Sequence, residues 1–317
     1  VLKLHDENCD LIAYGNNRGH TSDLLLVSLA KRMRIPIVGE LLNLFVSEKV
    51  VPDVLVAPSH YAAEHPSVLE ALEANNRYAD PRYPPVVVIS PGISPKQLIR
   101  PTVDHLIIRF HQQPAFVIGY MGRLAIEKNV ALFILAAHAL LQKCPFCRFV
   151  IIGNGELTPY LEDLCERLQI RWAVHFTGWI SSDVMPRVWP GIDVLVNPSL
   201  RAWSETFCIV NIEAMGMKVP LVTFGVGGIG EYVVDPGVEI VHDQDTNDIP
   251  LYSIGSNAII VNVATPQAIA AAVHLLMEDS ELRSRIGIAG YNTVRSYFTT
   301  SRQMKEYENL YNRLTRD

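Results

Sequence analysis

Two carboxylates, Glu205 and Glu213, bound an otherwise apolar stretch, Ser204-Glu205-Thr206-Phe207-Cys208-Ile209-Val210-Asn211-Ile212-Glu213-Ala214-Met215-Gly216-Met217. Strand-like runs flank it, Asp193–Ser199 before and Pro220–Phe224 after, so it has the pattern of a crossover helix buried against a sheet. A carboxylate in such a place needs a partner, because an unpaired buried charge is costly. If the whole stretch is helical, the two carboxylates lie roughly 12 Å apart along the axis. That is too far to share a proton and suited to gripping opposite ends of one extended ligand. Free backbone N–H groups at Phe207, Cys208 and Ile209 would mark the helix start and favour an anion, above all phosphate. The set suits a ligand built of sugar, diphosphate and ribose. The same residues also fit a core helix with one capping and one snorkelling glutamate.

Further polar and glycine-rich features follow the strand-like runs. Gly122-Arg123 through Lys128 follows one, Gly153-Asn154-Gly155 the next and Gly178-Trp179 a third. Gly225-Val226-Gly227-Gly228-Ile229-Gly230-Glu231 follows a fifth. Glycines permit close backbone approach, and Arg123 with Lys128 could neutralise a diphosphate. Taken singly, each reads as a turn or a solvated face. Their convergence on one sheet edge is what points to a site. Cys144-Pro145-Phe146-Cys147 has the spacing of a zinc or redox pair, yet it lies at a helix end before a strand and no second pair joins it. His242-Asp243-Gln244-Asp245 resembles a metal motif but lacks the glycine and closing glutamate of a calcium loop. No metal or other cofactor is expected. His60 and Glu64-His65 read as surface residues.

Short, nearly continuous apolar strands alternate with helices along the chain, which requires a parallel sheet covered on both faces. Strands are expected at Leu11–Tyr14, Ile35–Val38, Asp53–Ala57 and Pro85–Ile89, with a helix to about Met33 and another around Ser67–Ala74. A second series runs Phe116–Met121, Phe149–Ile152, Val174–Thr177, Asp193–Asn197, Leu221–Phe224 and Ala258–Val261. Helices fall between these at Asn129–Gln142 and Pro159–Leu168, and three close the chain at Pro266–Met277, Ser280–Ser296 and Ser301–Leu314. Six strand–helix steps make a complete doubly wound sheet. Asp235–Asn257 reads as an exposed acidic loop. The expected division is residues 1–100, 101–298 and a final helix, 299–317, that crosses back to the first unit. A hydrophobic fraction of 49% supports sizeable cores, and a net charge of −6 with no basic block argues against nucleic acid. No apolar run has the length of a membrane span, and the five scattered cysteines fit a reducing compartment. A cytoplasmic place follows, free or associated with a membrane or organelle.

The second unit resembles the C-terminal domain of family 4 retaining glycosyltransferases, the group 1 glycosyl transferases with the GT-B fold. The matching stretches, in order, are Gly119–Asn129, Val150–Glu156, Phe176–Trp179, Asp193–Ser199, the Glu205/Glu213 pair and Gly225–Glu231. The resemblance implies an α/β, GT-B-like chain of two Rossmann-like domains, the N-terminal one truncated and the C-terminal one complete. It implies transfer of a sugar from a UDP- or GDP-sugar, with retention and without metal, to a carbohydrate, lipid or protein acceptor. Arg123 and Lys128 would hold the donor diphosphate, Glu205 the hexose and Glu213 the ribose, with Thr206 and the N–H groups of Phe207 and Cys208 at sugar and phosphate. Gly122, Gly153, Gly155, Trp179, Gly227, Gly228 and Glu231 would complete the donor site, and His20 matches a histidine near the donor sugar, although it also fits a helix cap. Cys208 stands where the family has glycine, so its side chain could narrow the pocket. The early strands of the N-terminal domain lack counterparts here, which implies a longer polypeptide, a partner chain or a reduced acceptor domain. Two other functions remain open: a non-catalytic subunit that binds a nucleotide sugar, and a sugar-nucleotide epimerase.

Overall fold

The structure is a computed structural model whose described residues are 12–15, 36–41, 52–75, 86–94, 115–233, 239–241 and 250–315. They fall into two compact units, one comprising Val1–Gly92 with Thr300–Asp317 and the other Ile93–Thr299. The first contains four parallel strands in sequential order, β1 (Ile12–Gly15), β2 (Ile37–Glu40), β3 (Val54–Ala57) and β4 (Val86–Val88). Asp53 sets the start of the β2–β3 pair, its Oδ2 accepting the Ile37 N–H at 2.8 Å. Val38, Val54, Val56 and Ile89 pack with Leu310 and Leu314 of the final helix, Thr300–Thr315. The Tyr307 hydroxyl of that helix donates to Glu40 Oε1 at 2.8 Å.

The second unit is built on an eight-stranded sheet. Its parallel strands are β5 (Phe116–Met121), β6 (Cys147–Ile152), β7 (Val174–Gly178), β8 (Val194–Asn197), β9 (Leu221–Thr223) and β12 (Ile259–Val261). They lie in the order β7-β6-β5-β8-β9-β12, the doubly wound arrangement. Most side chains of β6 and all of β8 are buried, which is why these strands read as unbroken apolar runs. Asp193 repeats the device of Asp53, its Oδ2 accepting the Val117 N–H at 2.8 Å. Helices Val130–Leu141, Thr158–Arg167 and Pro266–Glu278 contribute to one apolar core, while helix Ile209–Gly216 helps form another on Leu195, Leu221 and Ile229.

The segment after Val233 corrects the reading of an exposed loop. β10 (Glu239–Val241) and β11 (Tyr252–Ile254) extend the sheet antiparallel beyond β12. Leu251 and Tyr252 are buried. A tight turn returns β11 to β12, with Gly255 N donating to Ala258 O at 2.9 Å. Asn257 is buried beneath that turn and donates to Tyr232 O at 2.8 Å. Three-residue strands are too short to show an alternating pattern, so the acidic, glycine-containing composition dominates the sequence signal. The helix expected to about Met33, the stretch 42–46, the segment 95–114 and His242–Asp245 lie outside the described residues. Among the described residues no helix is long and apolar enough to cross a membrane.

Candidate active site

Loops from three strand ends converge at the carboxyl edge of the larger sheet. β5 leads into a 3-10 turn, Ile126–Lys128, and the following Asn129 is left-handed (φ 53°). Asn129 Nδ2 donates to Pro198 O at 3.2 Å, lacing this loop to the one after β8. The β8 loop makes its own 3-10 turn, Ala202–Ser204, which delivers Glu205 to the same spot. Lys128 Nζ donates to Glu205 Oε1 at 2.8 Å and to Ser204 O at 3.1 Å. The winding of the sheet reverses between β5 and β8, which opens a crevice where α/β proteins of this topology bind ligands. The buried carboxylate therefore has a partner, and the partner comes from across that crevice.

The third loop follows β9. Gly228 N donates to Glu205 O at 2.9 Å, fixing the glutamate's backbone. Gly227 has φ 59°, and a Cβ there would stand 2.4 Å from Glu205 O. Only glycine allows both the left-handed turn and this approach. Glu231 ends the turn Gly227–Glu231 and is exposed.

Other sequence-predicted residues line the neighbouring strand ends. Arg123 is largely exposed and forms an ion pair with Glu127, while the Tyr120 hydroxyl holds its carbonyl at 2.9 Å. Gly122 N donates to Ile152 O at 3.0 Å and Gly153 N to Gly178 O at 2.9 Å, so the β5, β6 and β7 ends are tied together. A Cβ at Gly153 would fall 2.0 Å from Gly122 O, and one at Gly155 would fall 2.2 Å from Leu124 O. Trp179, next to Gly178, is 72% exposed and belongs to the β7 end rather than to the Lys128–Glu205 pair. His20 lies outside the described residues.

The central helix is shorter than the sequence suggests. It spans Ile209–Gly216, so Glu205, Thr206 and Phe207 precede it and Cys208 is its N-cap. Cys208 has φ 68° and ψ 79°, a left-handed break that a cysteine does not announce in a sequence. The first-turn N–H groups therefore belong to Ile209, Val210 and Asn211, not to Phe207 and Cys208. Asn211 N already donates to Cys208 O at 3.2 Å. Phe207 turns into the core against Tyr232 and Phe298, with ring centroids 5.3 and 5.4 Å away. Glu213 stands in the helix, half-buried, and burial pushes its carboxyl above the usual glutamate value.

The Cys208 thiol accepts from Asn197 Nδ2 at 3.2 Å. Burial pushes it well above the ordinary thiol value, reinforced by the Glu205 charge. Burial likewise raises the Tyr120 phenol, again with Glu205 as the next cause. Asn197, Asn211, Tyr120, Ser204 and Tyr232 all touch this site and were not singled out by sequence reasoning. Their only local signal is polarity inside apolar runs, which turns and caps produce as well. A cavity of about 410 Å³ between helices Val130–Leu141 and Pro266–Glu278 is lined by none of these residues. Among the described residues no group of three or more His, Cys, Asp or Glu is placed to hold a metal ion.

Comparison with known proteins gives the family and the fold. Residues 107–293, more than half of the chain, match the family described as glycosyl transferases group 1. An uncharacterized glycosyltransferase of Methanocaldococcus jannaschii is 30% identical over 195 residues, covering 62% of this chain and 44% of that protein. The alpha-D-kanosaminyltransferase of Streptomyces kanamyceticus is 32% identical over 170 residues, 54% of this chain and 38% of that one. The chain thus spans under half the length of these curated relatives. The Anabaena protein HepE, solved in complex with UDP-glucose, superposes with a TM-score of 0.68 at 19% identity, covering 95% of this chain and 78% of its own. Sucrose-phosphate synthase from Thermosynechococcus elongatus gives 0.67 at 18% identity, covering 96% and 73%. At such identities the likeness is one of fold, and the fold is α/β and GT-B-like.

Proposed function

This chain belongs to the glycosyl transferases group 1, and we propose that it transfers a sugar from a UDP- or GDP-sugar to a hydroxyl acceptor with retention of anomeric configuration. The observation that carries this reading is the Lys128–Glu205 ion pair, 2.8 Å long, at the switch point of the sheet. In breaking the bond between the anomeric carbon and the phosphate oxygen, the diphosphate gains negative charge. A lysine ammonium preorganised in a crevice stabilises that charge more effectively than water does. Arg123 adds a second positive charge on the β5 loop, and the start of helix Ile209–Gly216 adds its dipole. These groups supply the electrostatic role of a metal, so the reaction is assigned as metal-independent.

Glu205 receives hydroxyls of the hexose while Lys128 holds one of its oxygens. Glu213 receives the ribose hydroxyls, and Gly153, Gly155, Gly227 and Gly228 let backbone approach the donor. The acceptor oxygen attacks the same face that the diphosphate leaves, and its proton passes to the departing phosphate oxygen. The acceptor is a carbohydrate, a lipid or a protein. A relative named for kanosaminyl transfer supports sugar transfer. Calorimetric titration of the full chain with UDP and GDP tests the donor site, followed by turnover of the matching nucleotide sugars. Micromolar binding of one nucleotide that Glu213→Ala abolishes supports the reading. Binding of neither would overturn it.

A further inference from the structure

Asparagine is among the best residues for capping a helix, because its side-chain oxygen accepts a free N–H of the first turn. Asn129 is the N-cap of helix Val130–Leu141, yet its side chain makes no capping hydrogen bond. Its backbone is left-handed, φ 53° and ψ 37°, where a cap is ordinarily extended. Asparagine tolerates that conformation better than most residues. The amide goes elsewhere, donating Nδ2 across the crevice to Pro198 O at 3.2 Å. The acceptor is held from its own side. Pro198 and Ser199 are buried, and Ser199 N donates to Asn197 Oδ1 at 3.1 Å. Asn197 Nδ2 in turn donates to Asn211 Oδ1 at 3.1 Å.

The pairing of β5 with β8 ends at Gly119 and Leu195, short of both loops. Beyond it, side chains link the two. Lys128 Nζ reaches Glu205 Oε1 and Ser204 O, and Ser204 Oγ donates to Glu127 O at 3.5 Å, a long hydrogen bond. Lys128 and Glu205 are the groups assigned to the donor, so their own bond is open to change when a donor arrives. The Asn129–Pro198 bond involves neither of them. It starts one residue after Lys128 and so fixes the backbone from which the lysine extends. A lysine stem is flexible, and it delivers its charge to one point only from a fixed base.

We propose that Asn129 is a positioning residue for Lys128. By giving its amide to Pro198 O rather than to its own helix, it sets the span between the two loops. That span holds the ammonium where it meets Glu205 and the departing diphosphate. The inference rests on the assignment of Lys128 to the diphosphate.

The test uses the full chain with Asn129→Gly and Asn129→Asp, each also combined with Lys128→Met. Glycine adopts the left-handed backbone freely and aspartate tolerates it, so both variants should fold. Neither side chain can donate to Pro198 O. Turnover is followed as hydrolysis of UDP-glucose, UDP-N-acetylglucosamine and GDP-mannose, with water standing in for the acceptor. Each single variant should lower kcat about tenfold and keep the donor KM within about twofold. In the Lys128→Met background the same replacements should change kcat by less than about twofold, because the residue they act through is gone. An equal loss in both backgrounds is the mark of a purely structural role and overturns the proposal. A second readout needs no turnover. The coupling between Lys128 and Glu205 is taken from urea unfolding of Lys128→Met, Glu205→Gln and the double variant, with and without Asn129→Gly. It should fall to about half or less when Asn129→Gly is present. Wild-type kcat together with undiminished coupling overturns the proposal. Reduced coupling with wild-type kcat supports the positioning of Lys128 and overturns its assignment to the diphosphate. In a chain that hydrolyses none of the three donors, the coupling alone decides, and undiminished coupling overturns the proposal.

Discussion

Replacing Lys128 with methionine separates what the buried ion pair does for stability from what it does for chemistry. Methionine keeps much of the packing of the lysine stem and removes the charge. The Glu205 side chain is 3% exposed and that of Lys128 20%, across an N–O distance of 2.8 Å. Removing one partner of a buried pair leaves an uncompensated charge and costs about 3–5 kcal/mol. Water already reaches part of Lys128, so the lower figure, about 3 kcal/mol, applies. In a unit of this size that is a fall of about 6–12 °C in unfolding midpoint. Glu205→Gln breaks the same pair but leaves a lysine that water partly reaches and that still donates to Ser204 O, and should cost about 1–2 kcal/mol. The double variant should then be about 1–2 kcal/mol more stable than the sum of the single losses. Urea unfolding measures all three proteins, and nucleotide-sugar turnover is followed on the same preparations. Lys128→Met should lower kcat at least about a hundredfold, and the double variant should not restore it. Single losses that add within about 0.5 kcal/mol would show that the two residues are not coupled. Wild-type turnover in Lys128→Met would refute the assignment of Lys128 to the departing diphosphate.

Burial raises the Glu213 carboxyl, so the folded state holds its proton to a higher pH than the unfolded chain does. Stability from this group therefore falls as pH rises from the usual glutamate value through the raised one, and Glu213→Gln should flatten that part of a urea-unfolding series against pH. Nucleotide affinity should rise over the same interval as the carboxylate forms, and a pH-independent affinity would remove Glu213 from the ribose. Gly153→Ala places a Cβ 2.0 Å from Gly122 O at φ 133°. It should cost at least about 3 kcal/mol, and an unchanged unfolding midpoint would contradict the close approach of the β5 and β6 ends. Burial pushes the Cys147 and Cys165 thiols up to about 12. Both should resist aromatic disulfide reagents near neutral pH in the folded protein and react once it is unfolded.

Much of the second unit is legible in the chain itself. β5, β6 and β8 lie inside the sheet with helices on both faces, so their residues are apolar almost without interruption. The glycines at the strand ends mark where backbone must turn or approach closely. Glu205 and Glu213 stand out because charge is rare in an apolar stretch. These signals are local, and a sequence carries local signals directly. β10 and β11 were hidden because three residues cannot show a period. The helix start was misplaced because Cys208 adopts a conformation that glycine would have advertised.

Tertiary structure alone decided which polar groups meet. Lys128 and Glu205 are 77 residues apart in the chain and 2.8 Å apart in the fold. Nothing near either residue encodes the other. Their meeting depends on β5 and β8 pairing side by side where the winding of the sheet reverses. The same holds for Tyr232, which reaches back 24 residues to the Cys208 carbonyl. Residue type and spacing determine which side chains could do chemistry. The pairing order of the strands determines which of them share a crevice, because that order is set by packing between distant segments and not by neighbours in the chain.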